Sequence, residues 1–110
     1  MPIYKTARFQ VREDAIEIAK VAIETFVATV KAKEPKTLYY TSWQERDGPS
    51  RFLHHFAFED EVAEQFHRET EWVQEFVSIL YPTLVSDGVE FIDYIAVATT
   101  QDEDKPKQTG

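Results

Sequence analysis

From residue 34 to residue 67 the chain reads EPKTLYYTSWQERDGPSRFLHHFAFEDEVAEQFH, an order that few folds accommodate. Pro35 cannot continue a helix and pushes Glu34 out of the helical region, so a helix ends there. Residues 37–45 are rich in β-formers, Arg46-Asp47-Gly48-Pro49 is a turn, and residues 51–58 read as a second strand, which together predict a hairpin. That strand runs directly into a helix. Glu59, Asp60 and Glu61 in its first turn place negative charge at the positive end of the helix dipole. His67 follows on the same helix.

The flanks complete the pattern. Residues 3–11 alternate, with Ile3, Ala7, Phe9 and Val11 on one parity and Tyr4, Thr6, Arg8 and Gln10 on the other, which predicts a strand. From about Glu13 the period changes: Ile16, Ala19, Ile23, Phe26, Val27 and Val30 form one helical stripe. In the second helical region the predicted inward stripe is Ala63, Phe66, Thr70, Val73, Val77 and Leu80, with His67 beside it. Glu69, Thr70 and Glu71 weaken that stripe and predict a break near residues 67–71; Pro82 ends the region. Asp87-Gly88 predicts a turn and residues 89–98 a last strand. The order is β-α-β-β-α-β, the ferredoxin-like α+β arrangement, with a four-stranded antiparallel sheet and its helices on one face. Residues 1–100 are expected to form the one domain, and 101–110, polar and without a large apolar side chain, a disordered tail.

Charge and composition exclude several classes of function. The net charge is −8 and no Lys/Arg cluster is present, which disfavours nucleic acid and anionic membrane surfaces. The absence of cysteine rules out disulfides and thiolate chemistry. No apolar run reaches transmembrane length and the first residues do not read as a signal peptide, so a soluble cytoplasmic protein is expected. Three widely spaced glycines cannot build a dinucleotide-binding loop.

The candidate chemistry lies in histidines and aromatics. His67, next to the inward stripe, can exchange a proton near neutral pH; it can equally cap a helix break. His54 and His55 are consecutive on a strand and so point to opposite faces, and only His54 shares parity with Phe52, Phe56 and Phe58. His54 is thus a second catalytic candidate or a packing residue. A metal centre of His54, His67 and Asp60 matches no ligand spacing, and no metal is expected. Tyr40, Trp43, Phe56 and Trp72 are candidates for binding a small, planar aromatic molecule, although aromatics at such spacings also build cores and interfaces. Arg8, if interior, needs a partner such as Glu45 or Asp93.

Glu34-Pro35-Lys36-Thr37-Leu38-Tyr39-Tyr40 resembles the E-P-G-x-L-x-Y stretch of the antibiotic biosynthesis monooxygenase family. Arg51-Phe52-Leu53, Phe58-Glu59-Asp60-Glu61, Ala63 and His67 resemble that family's strand-to-helix segment, which ends in a histidine. Lys36 stands where the family usually has Gly, and Phe56 where many members carry Glu. The resemblance implies a dimeric α+β barrel and cofactor-independent oxidation of a quinol-like or polyphenolic molecule by O2, with His67 as acid/base. The family also includes haem-degrading enzymes, an isomerase and members without known activity, and fold alone does not choose among them. Its haem-degrading members use an Asn near the start of the chain; this chain contains no Asn. A non-catalytic, ligand-binding or structural dimer is the alternative to the oxygenase, and an isomerase is a further branch.

Residues 91–98 are apolar on both parities, yet helices can cover only one face of the sheet. A second copy packed sheet to sheet about a two-fold axis would cover the other. Sedimentation is therefore expected to give a homodimer of about 26 kDa, twice the 12.8 kDa chain mass; a monomer at micromolar concentration would refute it.

Overall fold

The computed structural model describes residues 1–85 and 88–101. Strand β1 (Ile3–Gln10) is followed by a short 3-10 turn and helix α1 (Ile16–Lys33). Strands β2 (Thr37–Gln44) and β3 (Arg51–Phe58) form the hairpin. Two helices follow, α2 (Glu61–Arg68) and α3 (Glu71–Leu80), and the chain closes with β4 (Glu90–Tyr94). The sheet is antiparallel in the order β2-β3-β1-β4, so the architecture is the α+β ferredoxin-like one. Among the described residues no helix is long and apolar enough to cross a membrane.

Alternation along the strands sorts side chains to the two faces. Ala7 and Phe9 of β1 lie beside His54 and Phe52 of β3 on the face covered by helices, and Tyr40 of β2 lies opposite Phe56 on that same face. Phe9, Ile23, Phe26, Phe52, Phe76 and Leu80 are the large side chains of the main core, and Phe26 of α1 stacks on Phe76 of α3 with ring centroids 4.4 Å apart. The other face presents Tyr39, Thr41 and Trp43 of β2, Leu53 and His55 of β3, and Ile92 and Tyr94 of β4. A register shift between Thr37 and Tyr39 sets this parity in β2.

Two expectations need correction, for the last strand and for Phe66, and the condition set on Arg8 is not met. The last strand ends at Tyr94 rather than at residue 98; Ile95 and Val97 continue without strand pairing and are 88% and 94% exposed. Phe66 does not point inward: it is 51% exposed, while His67 is buried in the helix–sheet interface. The reason is the break between α2 and α3, which makes Ala63 and His67 the inner pair of α2 and restarts the phase for Phe76 and Leu80 in α3. Arg8 lies on the open face and is exposed, so it has no interior charge to balance, and Asp93 pairs instead with Lys5 at 2.9 Å. Gly88 has φ of +70°, the left-handed conformation that favours glycine in a turn; Asp87 and residues 102–110, which hold nearly all of the expected tail, lie outside the described residues.

Each helix after the hairpin has its own N-terminal cap. The Asp60 carboxylate accepts from the Ala63 N–H at 2.9 Å. The Thr70 hydroxyl accepts from the Val73 N–H at 3.2 Å and donates to the His67 carbonyl at 2.9 Å, so it closes α2 and opens α3 at once. Replacing Thr70 by Ala is expected to lower stability by about 1–2 kcal/mol, read as a lower urea midpoint with an unchanged slope.

Candidate functional site

Between the helix-covered face of the sheet and α2 and α3 lies a cavity of about 410 Å³. Tyr40, His54, Phe56, Phe58, His67 and Phe76 are among the side chains on its wall. At its rim Glu64 accepts from Lys5 at 2.8 Å and from Arg68 at 2.9 Å, tying α2 to β1. The wall is otherwise almost wholly apolar and aromatic: Phe56 stacks on Tyr40 at 4.7 Å, and the His67 ring lies 5.0 Å from that of Phe58. Such a slot suits a flat aromatic molecule.

His67 is held by a buried carboxylate. Glu34, 3% exposed, receives His67 Nδ1 at 2.8 Å on Oε1 and 3.0 Å on Oε2. The Thr37 hydroxyl donates to Oε1 at 2.6 Å and the Trp72 indole N–H to Oε2 at 2.6 Å. Burial pushes the Glu34 carboxyl up; the hydrogen bonds from His67, Thr37 and Trp72, with the His67 charge, outweigh it and hold the group below its ordinary value. With Nδ1 committed to Glu34, Nε2 is the His67 nitrogen left for a ligand.

His54 has a different environment. Its Nδ1 lies 2.9 Å from the Tyr40 hydroxyl, and among the described residues its buried Nε2 has no partner. Burial pushes its pKa down to about 4, so the ring is neutral at pH 7 and a poor proton acceptor. Burial likewise raises the Tyr40 hydroxyl, helped by the nearby Glu34 charge, and keeps it protonated.

The predicted site residues thus divide. Tyr40, His54, Phe56 and His67 meet at the cavity. Trp43 does not: it is 59% exposed on the opposite face of the sheet, opposite Leu53. Trp72 is not on the cavity wall either; it stands behind His67 as a donor to Glu34, with Lys33 Nζ 5.4 Å from its ring centre. His55 is on the open face, where its Nε2 lies 3.2 Å from the Tyr39 hydroxyl. Asp60 is engaged as a helix cap, and among the described residues no cluster of three or more His, Cys, Asp or Glu is placed to hold a metal ion. Glu34 is the residue of the candidate site that the sequence reading missed. The sign was available: a carboxylate at a helix C-terminus opposes the helix dipole and asks for a compensating partner.

A family model for antibiotic biosynthesis monooxygenases matches residues 2–78. No curated protein sequence matches the chain. Among solved structures, a Bacteroides thetaiotaomicron protein provisionally named an antibiotic biosynthesis monooxygenase superposes with a TM-score of 0.84 at 15% identity, covering 92% of this chain and 94% of that one. Another antibiotic biosynthesis monooxygenase gives 0.79 at 21% identity over 87% of this chain and 99% of its own. Rv0793 from Mycobacterium tuberculosis gives 0.81 at 16% identity over 92% and 100%. At these identities the superpositions speak for the fold. The family match, spanning more than half the chain, places this protein in the antibiotic biosynthesis monooxygenase family.

Two acid-sensitive contributions to stability follow from the site. A folded pKa below the unfolded one means stability that is complete above the unfolded value and lost as pH falls towards the folded one. For His54 that window runs from its ordinary 6.5 down to about 4, with a slope of at most about 1.4 kcal/mol per pH unit. For Glu34 it begins at its ordinary 4.5 and extends lower. Urea unfolding against pH is expected to lose the first slope in a Tyr40→Phe/His54→Phe double variant. The second should be lost in Glu34→Gln, which is also less stable at pH 7 because an amide cannot accept from all three donors.

Proposed function

We propose that this member of the antibiotic biosynthesis monooxygenase family oxidises a phenol-bearing, quinol-like aromatic molecule with O2, using His67 as base and no organic cofactor. One observation carries the reading: His67 stands on the wall of an apolar, aromatic cavity with its Nδ1 held by buried Glu34 at 2.8 and 3.0 Å. A phenol in the cavity passes its proton to Nε2. The carboxylate beside Nδ1 stabilises the imidazolium that forms, while the apolar wall keeps water from the phenolate.

The phenolate then supplies the electrons. For a quinol, two electrons and two protons pass to O2, giving quinone and hydrogen peroxide. Where an activated CH2 group is oxidised, one oxygen atom becomes its carbonyl and the other leaves as water with the two hydrogens. Both reactions balance without an external reductant. In the same reading the working unit is a homodimer, the second copy covering Trp43, Leu53 and Tyr94 on the open face.

Phe56 favours a second reading. It stacks on Tyr40 where many family members carry Glu, so the cavity has one polar group fewer, and the protein would bind the same class of molecule without turning it over. An oxygen electrode separates the two. With menadiol, a ubiquinol analogue or a dihydroxyanthracene, wild type is expected to consume O2 above the spontaneous rate. His67→Ala should lower that rate by a factor of about 10² to 10⁴ while the chain stays folded. No turnover above the spontaneous rate with any of these would establish binding without catalysis as the better reading.

A further inference from the structure

His54 is the one described residue with a buried, unpartnered polar side-chain atom, and it lies on the cavity wall. It sits on β3 edge-on to Phe9, with centroids 5.0 Å apart, and faces Phe76 at 6.1 Å. Its Nδ1 is 2.9 Å from the Tyr40 oxygen. Either atom can be the donor in principle, but the rest of the structure decides. A buried hydroxyl proton requires an acceptor, and among the described residues the Tyr40 hydroxyl has the Nδ1 of His54 alone within hydrogen-bond reach. Tyr40 therefore donates to Nδ1, and the ring proton resides on Nε2. The orphan atom is a donor, an N–H shielded from water with no acceptor among the described residues. A buried orphan donor is unfavourable unless something completes it.

We infer that His54 sets the specificity of the cavity, its Nε2–H donating to an acceptor oxygen, carbonyl or phenolate, on the bound aromatic molecule. The inference rests on reading the cavity as a ligand site and deepens it. The two histidines then do opposite things to one ligand. His67, backed by a carboxylate, takes a proton; His54, backed by a hydroxyl and kept neutral by burial, gives a hydrogen bond. A ligand that satisfies both carries an ionisable hydroxyl and, apart from it, an oxygen acceptor. Phenols lacking the second oxygen are disfavoured because they leave the donor unpaired.

Binding tests this without any turnover. Menadione has two carbonyl oxygens and no hydroxyl, 2-methylnaphthalene has the same carbon skeleton and no oxygen, and a chain without cysteine forms no thiol adduct with the quinone. Equilibrium dialysis is expected to show that His54→Phe weakens menadione about tenfold or more and leaves 2-methylnaphthalene within about twofold. The Tyr40→Phe/His54→Phe variant, which strands no hydroxyl, should behave alike, whereas His54→Gln, which retains a donor, should recover part of the affinity. Nitrogen-15 chemical shifts of the free protein should place the His54 proton on Nε2. Equal loss for both ligands, no loss for menadione, failure of wild type to bind menadione, or a proton on Nδ1 would each overturn the inference. Because no arm reads O2 consumption, a protein that binds menadione through His54 but oxidises nothing would refute the proposed oxidation and leave this inference standing.

Discussion

The Glu34 carboxylate is the interaction on which the rest of the structure depends. It sits at the end of α1 and accepts from Thr37 at the start of β2, from His67 near the end of α2 and from Trp72 in the first turn of α3. Four elements therefore converge on one charged group. A lone buried carboxylate would be strongly unfavourable, and one at the negative end of a helix dipole more so. Three donors on two oxygens reverse that balance, and they do so only when all four elements are in place. The same contacts that lock the fold fix the His67 ring, so stability and the orientation of the candidate base share an origin.

That convergence requires the break between α2 and α3. In an unbroken α-helix, residues five apart are rotated by about 140°, so His67 and Trp72 could not both reach one carboxylate. Thr70 ends the first helix by donating to the His67 carbonyl and begins the second by capping Val73. The interruption is thus a condition of the site. It also keeps His67 at the end of a short helix, with its ring on the cavity wall and its Nδ1 turned to Glu34.

Much of this architecture was legible in the residues. The change of period near Glu13, the proline after Glu34, the Asp-Gly-Pro turn and the weakening at Glu69-Thr70-Glu71 each mark an element boundary, because each reflects a local backbone preference. The failures came from long-range context. Phe66 fits a continuous helical stripe, and only the change of phase at Thr70 turns it outward. The apolar run after Tyr94 looks like more strand, but β1 pairs with β4 only from Tyr94 to Glu90. Trp43 could have been excluded as a partner of Tyr40 from strand period alone, since residues three apart on a strand face opposite ways. Pro35 alone explains why the helix ends at Glu34, so the stop itself asks nothing further of that carboxylate. Its donors lie 3, 33 and 38 residues further along the chain, separations at which no local pattern reports a contact.

Two histidines on one cavity wall show how little residue type decides by itself. Both are buried among aromatic rings, and both have Nδ1 engaged by an oxygen. The difference lies in that oxygen. A carboxylate can balance the charge of an imidazolium, so His67 can accept a proton without leaving a buried charge uncompensated. A tyrosine hydroxyl cannot, so burial alone governs His54 and keeps it neutral. The two oxygens come from neighbouring segments, Glu34 at the end of α1 and Tyr40 in β2, six positions apart in the stretch that most constrains the fold.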